Sequence, residues 1–423
     1  MSDLWYGHVQ NSGWQGCFLC DNDNPNGCNR IIMSQQLAYV IITPYSLSKS
    51  RTGGILSRLI SHTGLDLAAM RMFGPSSDLA KQYGETIVSA HDPHDRKIQE
   101  LLRQYVLHNL SPDPKTGRRR RVMVMLFRGD EAVRKVRSVV GNLSPQRVSG
   151  ETIRDTYSDL ILDDDGQVRY FEPAVLAAPN DDEAGKILKL WAHYSDSDGG
   201  VLENVITYST GKTGERTLVL IKPDNFRFPT GRPGNVIDFF SRTGLYIVGA
   251  KVLHMSVAQV LEFYGPVRET LRTKLKEGVS ERAKLFLEKE FGFKIPAKGQ
   301  RALGDILGPL HGDNRFENLV RFMSGRISSE CISEKEKRKP GTEKCIALVY
   351  EGVNAVQKIR DVLGPTDPSK APPGSIRREF GSNITVNAAH ASDSVKSAQR
   401  EFAIVNVGEN NFRKVVEEVY GKL

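Results

Sequence analysis

Two short apolar runs, Ala38 to Ile42 and Leu218 to Ile221, close on the related triplets Ile42-Thr43-Pro44 and Ile221-Lys222-Pro223. Continuous apolar stretches of this length, bounded by proline, predict buried strands. After each, the apolar period changes. Ile55, Leu56, Leu59 and Ile60 follow Gly54, and Val236, Ile237, Phe239 and Phe240 follow Gly234, at the spacing of one helix face. Both runs end on Thr-Gly-Leu, at Thr63-Gly64-Leu65 and Thr243-Gly244-Leu245, a helix stop that leads into another strand. Farther on, Phe127, Gly129, Ala132-Val133, Val136-Arg137 and Val140-Gly141 are echoed by Tyr350, Gly352, Ala355-Val356, Ile359-Arg360 and Leu363-Gly364. Pro145 and Ile153-Arg154 are then echoed by Pro368 and Ile376-Arg377. The chain carries an internal repeat.

Each copy reads strand, helix, strand, helical region, strand, helix, and then a proline-containing loop before a last strand and helix. That order lacks strict βα alternation and predicts an α+β fold, two tandem ferredoxin-like domains of the split βαβ kind. The boundaries expected are an N-terminal extension over 1–33, a first copy over 34–194, a linker rich in Ser, Asp, Gly and Thr over 195–214, and a second copy over 215–423. The second copy is the longer, with an insertion within 265–349. Lys274 to Lys289 predicts a surface helix within it, and Ser328 to Lys344 a polar tract.

Composition narrows the class. Of 423 residues, 39% are hydrophobic and 26% charged, the balance of a soluble globular chain. No apolar run has the length of a membrane span and the N-terminus lacks a signal-peptide pattern, so a cytoplasmic protein without membrane partners is expected. Five cysteines do not make a disulfide framework in so long a chain. Cys17, Cys20, Cys28 and His8 stand close together, but the second pair lacks the short spacing of a zinc ribbon, and free thiols are the simpler reading. A net charge of +8 points to anionic partners without choosing among them. The densest basic run, Arg118 to Arg121, directly precedes the apolar stretch Val122 to Leu126 and reads as a solvated loop entering a strand, so a nucleic-acid partner is not expected.

The second copy holds the chemistry. Its last strand and exit read Asn387-Ala388-Ala389-His390-Ala391-Ser392-Asp393-Ser394. Ser392 or Asp393 can cap the following helix, whose apolar face is Val395, Ala398 and Phe402. A histidine between alanines beside a helix N-terminus is open to a phosphate, and Glu401, farther along that helix, can reach a ring nitrogen. Lys222, Arg360 and Arg377 are cations at element ends, with Thr366, Tyr264 and Asn387 as neutral donors. Alone, each would read as an ordinary surface or structural group; together they form a phosphate cradle.

From Thr217 to Val407 the sequence resembles the nucleoside diphosphate kinase family, whose signature Asn-x-x-His-Gly-Ser-Asp is matched by Asn387 to Asp393 with Ala391 in place of glycine. Ile221-Lys222-Pro223-Asp224, Tyr264, Tyr350-Glu351-Gly352, Arg360, Thr366-Asp367-Pro368, Pro373-Gly374-Ser375-Ile376-Arg377 and Glu401 continue the match in order. The resemblance implies a ping-pong transfer of the γ-phosphate from a nucleoside triphosphate to a nucleoside diphosphate, with His390 as nucleophile and Glu401 its acidic partner. Lys222, Tyr264, Arg360, Thr366, Arg377 and Asn387 would bind the nucleotide's phosphates, with Mg2+ held by those phosphates and not by a protein metal site. It also implies a base-stacking aromatic at Phe316 or one residue away. Rival readings are a non-catalytic nucleotide sensor or scaffold and a nucleic-acid-binding protein; self-association is left open.

The first copy has Thr43 where the second has Lys222, and the segment Tyr170-Phe171-Glu172-Pro173-Ala174 stands where the histidine would be expected. Arg137 and Arg154 persist, but without a nucleophile a structural or regulatory role is expected, with the copies packed as an intramolecular pair. Thr210-Gly211-Lys212-Thr213 imitates a phosphate-binding loop, but Ile206 occupies the position of its first glycine and the segment precedes a strand.

Overall fold

The computed structural model describes residues 35–90, 95–144, 150–211 and 213–423. The cysteine cluster with His8, together with Pro145 and Lys212, lies outside the described residues.

In the first copy the order is β1 (Gln36–Ile42), α1 (Pro44–Ser48), α2 (Thr52–Thr63), β2 (Asp66–Phe73), α3 (Ser77–Ile87), α4 (Arg96–Asn109), β3 (Val122–Gly129), α5 (Ala132–Val140) and α6 (Ile153–Tyr157). Then come β4 (Asp159–Leu162), β5 (Val168–Glu172), β6 (Val175–Ala177) and α7 (Asp181–His193). The second copy runs β7 (Glu215–Ile221), α8 (Arg232–Ser241), β8 (Tyr246–His254), α9 (Val257–Lys274), α10 (Lys276–Phe291), α11 (Ala297–Ser324), α12 (Glu334–Lys337), β9 (Lys344–Gly352), α13 (Ala355–Leu363), α14 (Ile376–Phe380), β10 (Ala389–Ala391), α15 (Val395–Val405) and α16 (Asn411–Tyr420).

The two principal sheets have the same strand order, β2-β3-β1-β6 and β8-β9-β7-β10. In each, the first and second strands of the copy are split by the third, which is antiparallel to both. This is the split βαβ arrangement expected. Special backbone positions repeat as well. Glu131 and Asn354 precede α5 and α13 at φ 52° and 55°, Gly141 and Gly364 end those helices at φ 81°, and Ala174 and Ala388 enter the last strands at φ 61° and 68°. Gly64 and Gly244 take φ 63° and 66° at the predicted helix stops, the left-handed conformation that glycine adopts without penalty.

The insertion lengthens a helical hairpin that both copies share. In the first copy α3 and α4 connect β2 to β3. In the second, α9 and α10 run almost continuously outward and α11 returns along them. The expected surface helix is α10, whose only buried residue is Ser280. Gly308 and Gly312 let α11 lie against its partner's backbone: a Cβ on Gly312 would stand 2.6 Å from Arg272 Cα and N.

The copies pack on one another through α2 and α8 and through the edge strands β2 and β8. The helices approach backbone to backbone, since a Cβ on Gly53 would meet the Gly234 carbonyl at 2.3 Å and one on Gly234 the Gly53 carbonyl at 2.2 Å. Ser57 Oγ donates to the Gly231 carbonyl at 2.7 Å. The C-terminal helix α16 also crosses to the first copy, where buried Phe412 meets Phe73 edge-on at 5.4 Å and Phe73 meets Trp191 at 5.1 Å.

Two loop segments are held by side-chain bonds. The arginine run enters β3 as a loop, as expected, with Arg118 and Arg119 exposed, and its side chains are also bonded: Arg119 donates to Asp198 at 3.1 Å and Arg121 to the Ile247 carbonyl at 2.7 Å, while Arg118 bonds Thr207 and Arg120 the His108 carbonyl. Arg118 and Arg119 tie the first copy to the connecting segment and Arg121 ties it to the second copy, while Arg120 bonds within the first copy. The connecting segment 195–214 is itself held in place. Asp198 is buried and accepts from Ser76 N and Oγ at 2.7 and 2.6 Å, and Tyr208 donates to Glu351 at 3.0 Å. Among the described residues no helix is long and apolar enough to cross a membrane.

Candidate active site

His390 lies on β10, opposite Leu220 of β7. The strand is short because its start is held from the side: Ala388 donates to Asp224 Oδ2 at 3.2 Å, and its carbonyl accepts from Lys222 N at 2.9 Å and Asn225 Nδ2 at 2.7 Å. Those bonds hold Ala388 in the left-handed conformation from which β10 departs. The following helix is capped by Ser394, whose side chain accepts from Ser397 N, and not by Ser392 or Asp393 as expected. Ser392 is thereby free for another task.

That task is at Glu401. His390 Nε2 stands 3.0 Å from Glu401 Oε2, and Ser392 Oγ donates to the same oxygen at 2.7 Å. Arg400 lies 3.6 Å from the other carboxylate oxygen and donates to the carbonyls of Glu262 and Phe263 at 3.0 and 3.1 Å. A hydrogen bond from the ring to a carboxylate oxygen requires the imidazole proton on Nε2, and Nδ1 then carries the lone pair. The ring is packed edge-on against Phe263 at 4.9 Å and Tyr264 at 5.7 Å, and remains 22% exposed at the side-chain level.

Around this ring the structure gathers most of the expected cations. Lys222 is 4% exposed at the end of β7; burial pulls its ammonium down to about 8, against the opposing pull of Asp224. It donates to Asn387 Oδ1 at 2.8 Å and to the Thr385 carbonyl, and lies 5.1 Å from the Phe322 ring centre. Asn387 Nδ2 in turn donates to the carbonyls of Thr366 at 3.1 Å and Ile384 at 3.0 Å. Asn387 is therefore spent on aiming Lys222 and pinning the Thr366 loop. Arg377 donates to the carbonyls of Gly364 at 3.0 Å and Ala389 at 3.2 Å, and burial lowers its guanidinium to about 10. Arg360 is exposed and close enough to act electrostatically on Arg377 and Asp393.

Two expected binders are placed differently. Phe316 is 4% exposed and belongs to the core with Val320 and Met323, the inward stripe of α11, while Arg268 lies 5.8 Å over its ring. It offers no open face to a nucleobase. Tyr264 sits beside His390, but its hydroxyl points to Met323 Sδ at 3.9 Å, and burial pushes the phenol well above its usual range. Phe263, Phe322 and Arg400, which the sequence reading passed over, stand in the site. Phe263 had one available signal, its place beside Tyr264 on the predicted helix.

The first copy shows what loss of the site looks like. By strand register the equivalent of His390 is Leu176, since Ile41 pairs with Leu176 as Leu220 pairs with His390. This corrects the expected segment Tyr170 to Ala174, which instead forms β5 of a separate hairpin and the turn after it. Counting from the helix caps, Ile187 of α7 occupies the place of Glu401 in α15. An apolar pair has replaced the His–Glu pair. With Arg137 and Arg154 these residues line a cavity of only about 30 Å³. Arg154 keeps the structural bonds of Arg377, to the carbonyls of Gly141 at 3.0 Å and Val175 at 3.4 Å. Thr43, in place of Lys222, donates to buried Glu172 at 2.9 Å, and Tyr105 donates to the same carboxylate at 2.7 Å.

Comparison with known proteins agrees with the second copy. The family model described as nucleoside diphosphate kinase matches residues 215–274 and 311–409, leaving 275–310, the distal part of the hairpin, outside the match. The chain is similar to the nucleoside diphosphate kinases of Wolinella succinogenes, at 32% identity over 45% of this chain and 93% of that one, and of Staphylothermus marinus, at 31% over 45% and 92%. A crystal structure of the Aquifex aeolicus nucleoside diphosphate kinase aligns at 26% identity with 46% of this chain and 95% of its own, with a TM-score of 0.28. The relatives are covered almost end to end, and the chain belongs to the nucleoside diphosphate kinase family.

Proposed function

We propose that the second copy is an active nucleoside diphosphate kinase working through a phosphohistidine at His390. The observation that carries this reading is the chain Ser392–Glu401–His390, which engages Nε2 and leaves Nδ1 as the nucleophilic nitrogen, with Lys222 bonded to Asn387 and Arg377 to the Ala389 carbonyl on the approach to His390. In the first half-reaction Nδ1 attacks the γ-phosphorus of a nucleoside triphosphate. The P–N bond forms as the bond to the bridging oxygen breaks, and the nucleoside diphosphate leaves with that electron pair. Glu401 balances the positive charge that develops on the ring. In the second half-reaction a terminal phosphate oxygen of another nucleoside diphosphate attacks the phosphorus and the imidazole departs.

The cations supply what such a transfer needs, charge stabilisation on the equatorial oxygens. Lys222 is aimed before substrate arrives, so little reorganisation is left for the reaction. Among the described residues no group of three or more His, Cys, Asp or Glu could hold a metal ion. The donor set facing the site is cationic, which fits Mg2+ carried on the nucleotide's own phosphates, where it would neutralise part of their charge. The first copy is proposed to be structural, because its apolar Leu176–Ile187 pair offers neither a nucleophile nor room for a phosphate. The reading is tested by following γ-phosphate exchange between ATP and a second nucleoside diphosphate. Exchange by the wild-type chain and none by His390→Asn is expected; equal exchange by both would refute it.

A further inference from the structure

The distal arm of α10 and α11 is explained by neither copy's sheet nor by the site. It is the stretch 275–310 that the family match leaves out. A helix of this length reaches roughly 24 Å, and α10 packs only on α11 and the end of α9 among its principal neighbours. Close approach at Gly308 and Gly312 makes the arm's base rigid. At its apex, where α10 ends in the left-handed Gly292, Phe291 and Phe293 are 63% and 59% exposed and stack on each other at 6.3 Å and 27°. Solvent-exposed aromatics at the tip of a rigid projection contribute nothing to the core. Beside them Lys289, Lys294, Lys298 and Arg301 are all exposed, against Glu288 and Glu290. Glu288 is occupied by Ile295 N at 2.8 Å and Lys294 at 3.4 Å.

We propose that this apex docks on an anionic lipid bilayer surface, with Phe291 and Phe293 entering the headgroup boundary and the flanking cations meeting lipid phosphates and carboxylates. Charge complementarity selects the anionic surface, and paired phenyl rings beside lysines are suited to the boundary between headgroups and acyl chains. This contact is peripheral and needs no spanning helix.

The test is sedimentation of the full-length protein with vesicles of phosphatidylcholine alone and of phosphatidylcholine with phosphatidylserine at low and high salt. Phosphatidylserine-dependent, salt-sensitive binding is expected, falling about tenfold in Phe291→Ser/Phe293→Ser and to background in Lys289→Glu/Lys294→Glu/Lys298→Glu. Far-UV circular dichroism and the melting temperature of both variants should match the wild type, since every substituted side chain is exposed. Binding that ignores phosphatidylserine, or that survives both sets of substitutions, would overturn the proposal. So would apex-dependent binding of a single-stranded oligonucleotide without binding of vesicles.

Discussion

At the residue scale, the proposed site depends on two buried groups, Glu401 and Lys222. Glu401 is 3% exposed and bonds His390; its proposed role is to hold the imidazole tautomer without reacting itself. Glu401→Gln keeps an acceptor but removes the charge, so kcat should fall about 100-fold with KM little changed; a steady-state assay showing an unaltered kcat would remove Glu401 from the chemistry. Lys222 is the more informative titration. Its ammonium is lowered to about 8, whereas in the unfolded chain it titrates near the usual ~10.4. Below pH ~8 both states hold the proton and the penalty for burying the cation is complete; between about 8 and 10 only the unfolded chain holds it, so the penalty fades as pH rises. Lys222→Met should therefore be more stable than wild type near pH 7, by something on the order of 2–3 kcal/mol, with the difference shrinking by pH 9.5 in urea unfolding. Catalysis should move the other way, kcat/KM of the wild type falling above about pH 8 as the neutral amine stops stabilising phosphate charge. The sequence made His390, Glu401, Lys222 and Arg377 legible because a spaced motif carries them. It could not separate Phe316 as a core residue from a base-stacking one, because an aromatic on an amphipathic helix can face either way until the helix is docked.

At the scale of elements, the succession of strands and helices along the chain and the helix stops were readable because they follow from local rules: apolar runs ended by proline, apolar residues at helical spacing, and Thr-Gly-Leu closing both first helices. What escaped was set by partners distant in sequence. The hairpin β4–β5 displaced the expected equivalent of His390, and its register is decided by pairing, which composition does not show. Likewise Ser394, not Ser392, caps α15, since Ser392 is drawn off by a carboxylate two helical turns farther along. The inserted arm makes a further test. In Gly312→Ala the new methyl would press on the Arg272 backbone at 2.6 Å, so α9 and α11 must separate, costing about 1–3 kcal/mol. Gly278→Ala on α10 meets nothing within 4 Å and should instead gain up to ~1 kcal/mol from helix propensity. Thermal melting of the two variants should shift in opposite directions; a Gly312→Ala protein as stable as wild type would mean that the arm is not packed backbone to backbone.

At the scale of the whole molecule, the first copy has lost a nucleophile but kept an interface. Asp238 lies in that interface, where its carboxylate accepts from the backbone of Gly53 and Gly54, yet burial still raises it to about 6. The folded pair thus binds a proton more readily than the unfolded chain, and the penalty for the charged carboxylate appears as pH rises from about 4 through 6 and is complete at pH 7. Asp238→Asn should stabilise the protein at pH 7, by about 1 kcal/mol or less because solvent screens this partly exposed group, and have little effect near pH 4; denaturant midpoints at the two pH values decide it. A chain beginning at Gly214 keeps every proposed catalytic residue but uncovers α8, β8 and the inner face of α16, and is expected to self-associate or precipitate in size-exclusion chromatography. A soluble, fully active monomer would make the first copy dispensable. The central claim, one working histidine in a chain of two kinase-like copies, is tested most directly by incubating the full-length protein with γ-labelled ATP and locating the label by mass spectrometry. An acid-labile, base-stable phosphoryl group on His390, approaching a single group per chain and absent from His390→Asn, is the expected result; no label, or undiminished label in the variant, would contradict it.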